Sequence, residues 1–298
     1  MSTMGNLNDI TKQDLKAHFD VKSLGQPNLL LSMKIHQTDH TITLSQTHYI
    51  DALLESLDSQ MRTLFPLQWT SMSSSTTLRK DRKKKNRKKK NRKKNEKITH
   101  GYATLIGSLM YLAIGTRPDI ALAVNKLVQF TQNPRQIHWT AVKWVFCYLK
   151  YTRMHKLTYW GDKDLLNTNF NIFCNAGWAS DASDCKSISG YVVTMAGGAV
   201  SWSSKKQTSV ALSTTKAKYV AATHIAKQVL WQWSLFTELD FDIPTTFTIF
   251  TDNQAAISIS HHPEFHSRMK HINIVYHFSV ILLQMEHSIL SMSTRAKT

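Results

Sequence analysis

Cysteines are few in this chain, acids are outnumbered by bases and long apolar runs are missing, and each shortage excludes something. Its three cysteines, Cys147, Cys174 and Cys185, are odd in number and show no CxxC spacing. That fits neither a disulfide framework nor a tetrahedral zinc site, so the thiols are expected to stay reduced. The longest apolar runs, such as residues 278–283, fall far short of the roughly 18 to 20 residues that a spanning helix needs. No basic start followed by an apolar stretch marks a secretory leader. The expectation is a soluble, non-secreted chain of the nucleus or cytoplasm, with no membrane partner. Acids number 20 against 37 Lys and Arg, leaving a net charge of +17.

Most of that charge sits in one place. Residues 79–97 hold 14 Lys or Arg against Asp81 and Glu96. The word RKKKN occurs at 82–86 and again at 87–91, followed by RKKN at 92–95. A tandem basic repeat without an apolar residue buries no face and repels itself, so the insert is expected to be solvated and disordered. It reads either as a nuclear-localisation or nucleic-acid-binding arm, or as an expanded simple repeat with incidental affinity for polyanions.

What is present outside the insert is enough for one large core or two modest ones. Of 298 residues, 42% are apolar, with 8 Trp, 12 Phe and 9 Tyr, which makes globular structure the default. Residues 29–35 and 41–44 read as two strands and 46–57 as a helix. Residues 102–114 and 119–131 read as helices parted by Gly115 and Pro118. A further helix over 135–151 carries Trp139, Val142, Val145, Phe146 and Leu149 at core spacing. From Phe170 the period changes. Strands are expected at 170–174, 190–195 and 199–202, then a long helix over 214–238, a strand at 247–251, helices at 253–260 and 274–285, and a strand at 289–293.

Three words carry a resemblance: FCNAGWASD at 173–181, the stretch KSISGYVVTMAGGAVSWSSKKQTSVALSTTKAKYVAA after it, and FTDNQAAI at 250–257. Upstream, LGQPNLLLSMKI, TITLSQTHYIDALL, YATLIGSLMYLAIGTRPDIALAVNKLVQF and NPRQIHWTAVKWVFCYLKYT extend it. Together they resemble the end of the reverse transcriptase region and the ribonuclease H region of copia-type retrotransposon Pol polyproteins, in truncated form. The resemblance implies an α/β fold, a ribonuclease H-like mixed five-stranded sheet with helices, preceded by a small α+β reverse-transcriptase connection region. The implied organisation is 1–70, the end of the reverse transcriptase region; 71–100, the disordered basic insert; 101–160, a helical connection region; and 168–294, the ribonuclease H-like domain.

Ribonuclease H chemistry hydrolyses the RNA strand of an RNA–DNA hybrid with two divalent ions about 3.5 to 4 Å apart, held by clustered carboxylates. Carried over residue by residue, the first-strand carboxylate falls on Asn175, the long-helix carboxylate on Lys218 and the fourth-strand carboxylate on Asp252. The family's terminal LADILTK word, with the last Asp, has no counterpart. Asp252 is thus the one family carboxylate that remains for catalysis or metal binding. Lys218 is worse than neutral: a positive unit about 4 Å from a dication costs roughly 8 kcal/mol at an effective dielectric of about 20. Asp181, Asp184 and Glu238 are the nearest acids in sequence that could substitute. Asp252 itself has a second reading, as the N-cap of the helix after it.

The expectation is a retrotransposon remnant whose ancestral ribonuclease H activity is lost, with no cofactor where the ancestral ion was Mg2+. The alternative is a non-catalytic nucleic-acid-binding module, using the basic insert and the ribonuclease H-like fold to hold an RNA–DNA hybrid or another polyanion. Trp202, Lys205 and Lys206, in the word SWSSKKQ, are candidate nucleic-acid contacts, with a solvated turn as the other reading. His261, His262, His266, His271 and His277 match no metal-binding spacing. Polymerase activity is not expected, because the family's YVDD box lies upstream of LGQPNLLL and no Asp-Asp dipeptide occurs.

Overall fold

The computed structural model describes residues 25–64, 88–161, 170–181, 183–239, 247–261 and 290–293, together with 13, 15–20 and 22. Within them the chain is mixed α/β with two sheets. Among these residues no helix is long and apolar enough to cross a membrane. The expected helix over 274–285 and the histidines at 262, 266, 271 and 277 lie outside the described residues.

The first sheet is antiparallel, in the order β1 (Leu29–Leu30), β2 (Met33–Gln37), β3 (Thr41–Ser45), β4 (Leu157–Trp160). The single strand expected over 29–35 is broken by Leu31 and Ser32. Both have positive φ, 49° and 58°, the backbone a two-residue hairpin loop requires. β4 is an element the sequence reading missed. It pairs with β3 across the whole helical region, Thr41 opposite Trp160 and Leu44 opposite Leu157.

Four helices lie between β3 and β4 in the chain: α1 (Thr47–Leu64), α2 (Lys88–Gly115), α3 (Ala121–Val128) and α4 (Gln136–Tyr151), with a 3-10 turn at Pro118–Ile120. Helix α2 begins inside the insert, whose first part, 71–87, lies outside the described residues. The second half of the basic repeat is helical from Lys88, continuous with the apolar run that follows. An apolar helix already nucleated supports propagation into the repeat, because each added residue gains a hydrogen bond without a new nucleus. The helix expected over 119–131 is shorter: it opens as 3-10 at Pro118 and ends at Val128, where Phe130 and Thr131 turn back onto Leu127 and Val128.

The core here is one cluster drawn from all four helices. Ile50, Tyr102, Leu109, Leu112, Val124, Trp139, Phe146 and Leu149 are buried together, so residues 29–57 and 102–160 share one sheet and one core. Arg117 is buried within it at 1% exposure. Its guanidinium grips both Asp119 oxygens, at 3.0 and 2.7 Å, and the Thr152 hydroxyl at 2.5 Å. Tyr148 donates to the same Asp119 carboxylate at 2.9 Å. This network ties the turn before α3 to the end of α4.

The second sheet runs β7 (Gly198–Lys206), β6 (Ile188–Met195), β5 (Asn171–Gly177), β8 (Phe247–Phe250), β9 (Leu290–Ser293). The first three strands are antiparallel neighbours, and β8 and β9 add in parallel. Strand β5 alternates buried and open residues, as a strand covered on one face must. Its inward residues, Ile172 and Cys174, meet Ala222, Ile225, Ala226 and Val229 of α5 (Thr214–Glu238). Ser213 caps α5 by accepting the Lys216 amide. Small residues at Ala217 and Ala221 let its first turns lie close to Ala176.

The two sheets meet at the β6–β7 hairpin. Gly197 takes φ +77°, and a Cβ at Gly198 would lie 2.6 Å from the Tyr159 ring and 2.7 Å from the Thr158 carbonyl. Tyr159 donates to the Ala199 carbonyl at 2.7 Å, and the Trp160 amide donates to the Ala196 carbonyl at 2.8 Å.

Candidate functional site

The three sequence-selected positions come from three elements that the second sheet brings side by side. Asn175 is on β5, opposite Gly190. Asp252 follows β8, the parallel neighbour of β5. Lys218 lies in the second turn of α5, which packs across both strands.

The side chains interact as follows. The Lys218 ammonium donates to an Asp252 carboxylate oxygen at 2.5 Å. Lys218 is mostly covered, with 16% of its side chain exposed, whereas Asp252 is open at 58%. Asn175 accepts the Ala176 amide at 2.7 Å, so its carbonyl oxygen is engaged by its own strand. Beneath them Cys174 faces α5, and burial pushes its thiol up to about 12. It is a packing thiol rather than a ligand or nucleophile.

Asp252 is not the helix cap. That part is taken by Asn253, whose side-chain oxygen accepts the Ala256 amide at 2.8 Å and so caps α6 (Gln254–His261). The capping reading of Asp252 is therefore corrected: its carboxylate is directed to Lys218 instead.

The substitute acids point elsewhere. Lys206 binds Asp181 at 2.6 Å and Asp184 at 3.0 Å. Hydrogen bonds from Lys206, then from the Ser183 hydroxyl and amide, hold the Asp181 carboxyl well below the usual range. Glu238, at the far end of α5, accepts from Ser234. Among the described residues, no three of His, Cys, Asp and Glu come together in a group able to hold a metal ion.

The same contacts account for the SWSSKKQ word. Lys206 is committed to two aspartates, and the Trp202 indole donates to the Ala113 carbonyl at 2.7 Å, closing β7 onto the end of α2. Lys205 is the exposed member of the three. Asn125 of α3 also donates to the Ser204 carbonyl. These contacts leave a cleft of about 500 Å³ between Pro118, Ala121 and Leu122 on one side and the open face of the sheet on the other. Asn175 and Asp252 lie on its sheet side with Phe173 and Phe250, whose rings stack at 5.5 Å. Sequence reasoning could not find the Lys218–Asp252 pair as a bond, because it links positions 34 residues apart on different elements.

No protein-family profile matches the chain. Individual proteins do. It is 36% identical over 269 residues to the retrovirus-related Pol polyprotein from transposon TNT 1-94 of Nicotiana tabacum, covering 90% of this chain and 19% of that protein. Against the Pol polyprotein from transposon RE1 of Arabidopsis thaliana it is 34% identical over 270 residues, 90% of this chain and 17% of that protein. A transposon Ty5-1 protein of Saccharomyces cerevisiae is 30% identical over 223 residues, 74% of this chain and 67% of that protein. The chain thus spans less than a fifth of the length of the two plant polyproteins. Likeness over nine-tenths of the chain takes in both sheets and the helices between them, and it makes this chain a member of the retrovirus-related Pol polyproteins of copia-type transposons.

Proposed function

We propose that this Pol-derived chain carries a ribonuclease H-like domain over 168–294 that holds no divalent ions and does not cut RNA–DNA hybrids. The sheet order supports the fold half of the reading: an antiparallel meander, β5 to β7, extended by parallel β8 and β9, with α5 as the crossover after β7.

The observation that carries the functional half is the ion pair at 2.5 Å between Lys218 and Asp252. Two adjacent dications need several carboxylates, both as hard ligands and to cancel charge. Of the three positions placed here, only Asp252 is a carboxylate, and its oxygen is taken by an ammonium on the position where the resemblance expects another acid. Asn175 brings no charge and spends its carbonyl on Ala176. These residues do not fit Mg2+. The test is cleavage of the RNA strand of an RNA–DNA hybrid in magnesium by the purified chain. No cleavage is expected, and cleavage abolished by Asp252→Ala would overturn the reading.

A second reading, a module that holds nucleic acid without cutting it, is favoured by the helix that begins at Lys88. It carries the second half of the basic repeat on the same rod as the connection core. Binding of this kind falls steeply with salt, because Lys and Arg release counterions from the phosphates. Binding that vanished on deletion of 79–97 would assign it to the insert alone.

A further inference from the structure

Helix α4 has two faces of opposite character. Trp139, Val142, Phe146 and Leu149 are buried in the connection core. The outer face is apolar too, and nothing among the described residues covers it: Ile137 is 70% exposed, Trp144 63% and Tyr151 88%. Trp144, Tyr148 and Tyr151 stand four and three residues apart, so they form one column over about 10 Å of helix. Aromatic rings with this exposure are not required by the fold, because the inward face already makes the packing contacts.

The surroundings of the column are basic. Residues 135–156 contain five Lys or Arg and no Asp or Glu. Lys150 is exposed on one flank of the column, with the half-buried Lys143 two turns before it. The acids nearest the helix are already matched: Asp119 by Arg117 at 2.7 Å, and Asp51 by Arg153 at 3.7 Å. The Tyr148 hydroxyl is fixed on Asp119, which orients its ring in the column.

We infer that the outer face of α4 is a binding surface for single-stranded nucleic acid, with Trp144 and Tyr151 as base-stacking platforms and the basic flank at Lys150 meeting the phosphates. Exposed rings beside a basic ridge are what sequence-tolerant single-strand binding uses, because every base offers a flat face. A lipid surface fits less well, since an interfacial helix sinks a broad apolar face of Trp, Phe and Leu below the headgroups, and most apolar residues of α4 are already turned into the connection core. An acid-free rim also disfavours a basic protein partner. The inference rests on the second reading above, that the chain holds nucleic acid, and it assigns the contact to a face outside both the basic insert and the Lys218–Asp252 cleft.

The test uses the full chain in EDTA and a fluorescein-labelled dT20 oligonucleotide, followed by anisotropy. The Trp144→Ala, Tyr151→Ala double variant is expected to bind at least tenfold more weakly than wild type. Trp144→Phe with Tyr151→Phe, which keeps both rings, is expected to bind within twofold of wild type and serves as the arm in which folding is not in question. Oligonucleotide should also quench tryptophan emission in wild type by more than in Trp144→Phe. If wild type binds and the Ala variant binds equally well, the inference falls while nucleic-acid binding through the insert stands. If wild type does not bind dT20 even at low salt, both fall. Capture of wild type but not the Ala variant by phosphatidylcholine–phosphatidylserine vesicles, without dT20 binding, would assign the face to a membrane surface instead.

Discussion

The Lys218 ammonium sits 2.5 Å from the Asp252 carboxylate, bridging the second turn of α5 to the end of β8. Because the carboxylate is largely exposed, the pair is worth the modest amount of a surface ion pair. A double-mutant cycle with Lys218→Met and Asp252→Asn, followed by urea unfolding, should give a coupling of about 0.5 to 1 kcal/mol. A coupling indistinguishable from zero would mean that the bond does not persist in solution.

Thiol reactivity offers a sharper test of how α5 is seated. Burial raises the Cys174 thiol to about 12, whereas Cys185 is exposed. At pH 8, iodoacetamide should alkylate Cys185 in the folded protein and leave Cys174 unmodified until denaturant is added. Peptide mapping by mass spectrometry reads both sites. Equal labelling of the two would show that α5 does not cover β5.

Arg117 should be the most sensitive single position in the connection core. Removing the buried guanidinium leaves the partly exposed Asp119 with Tyr148 alone, so Arg117→Met should cost about 3 kcal/mol, the low end for a broken buried pair, and Arg117→Lys should not restore it, since one ammonium cannot reproduce the fork. Burial works to raise the Asp119 pKa, but hydrogen bonds from Arg117 and Tyr148 outweigh it and hold the carboxyl below its ordinary value. A lowered folded pKa stabilises above the unfolded value, about 3.9, and that stability is lost as pH falls through the folded one. Wild type should therefore lose stability below about pH 4 more steeply than Asp119→Asn, as measured by thermal unfolding against pH.

Two glycines should respond in opposite directions. At Gly198 a Cβ would meet the Tyr159 ring and the Thr158 carbonyl, both well inside contact distance, so Gly198→Ala should destabilise by about 1 to 3 kcal/mol. At Gly107, within α2, a Cβ meets nothing, so Gly107→Ala should stabilise by about 0.4 to 1 kcal/mol. Melting temperatures of the two variants check both. Equal tolerance at the two sites would mean that the hairpin and β4 are not in contact.

How much was legible in the sequence depended on how local the cause was. Helix α5 was readable to its ends, because a Ser cap and a long apolar stripe lie within the element itself. Strand β4 was not, since its four residues gain strand character from β3, more than a hundred residues earlier. The break in the strand expected over 29–35 turned on two positive-φ residues, Leu31 and Ser32, neither of a type that favours that backbone. At the site, the charge reversal at Lys218 was plain from its word. The assignment of capping to Asn253 rather than Asp252 was not, because both residue types cap and they stand side by side.

The central claim is that an ammonium, rather than a metal ion, holds the Asp252 carboxylate, and manganese titration tests it most directly. Free Mn2+ should be followed by electron paramagnetic resonance as wild type and Asp252→Ala are added to it. The two titration curves should coincide, with any weak binding by histidines common to both. A wild-type site that takes up Mn2+ and disappears in Asp252→Ala would contradict the account.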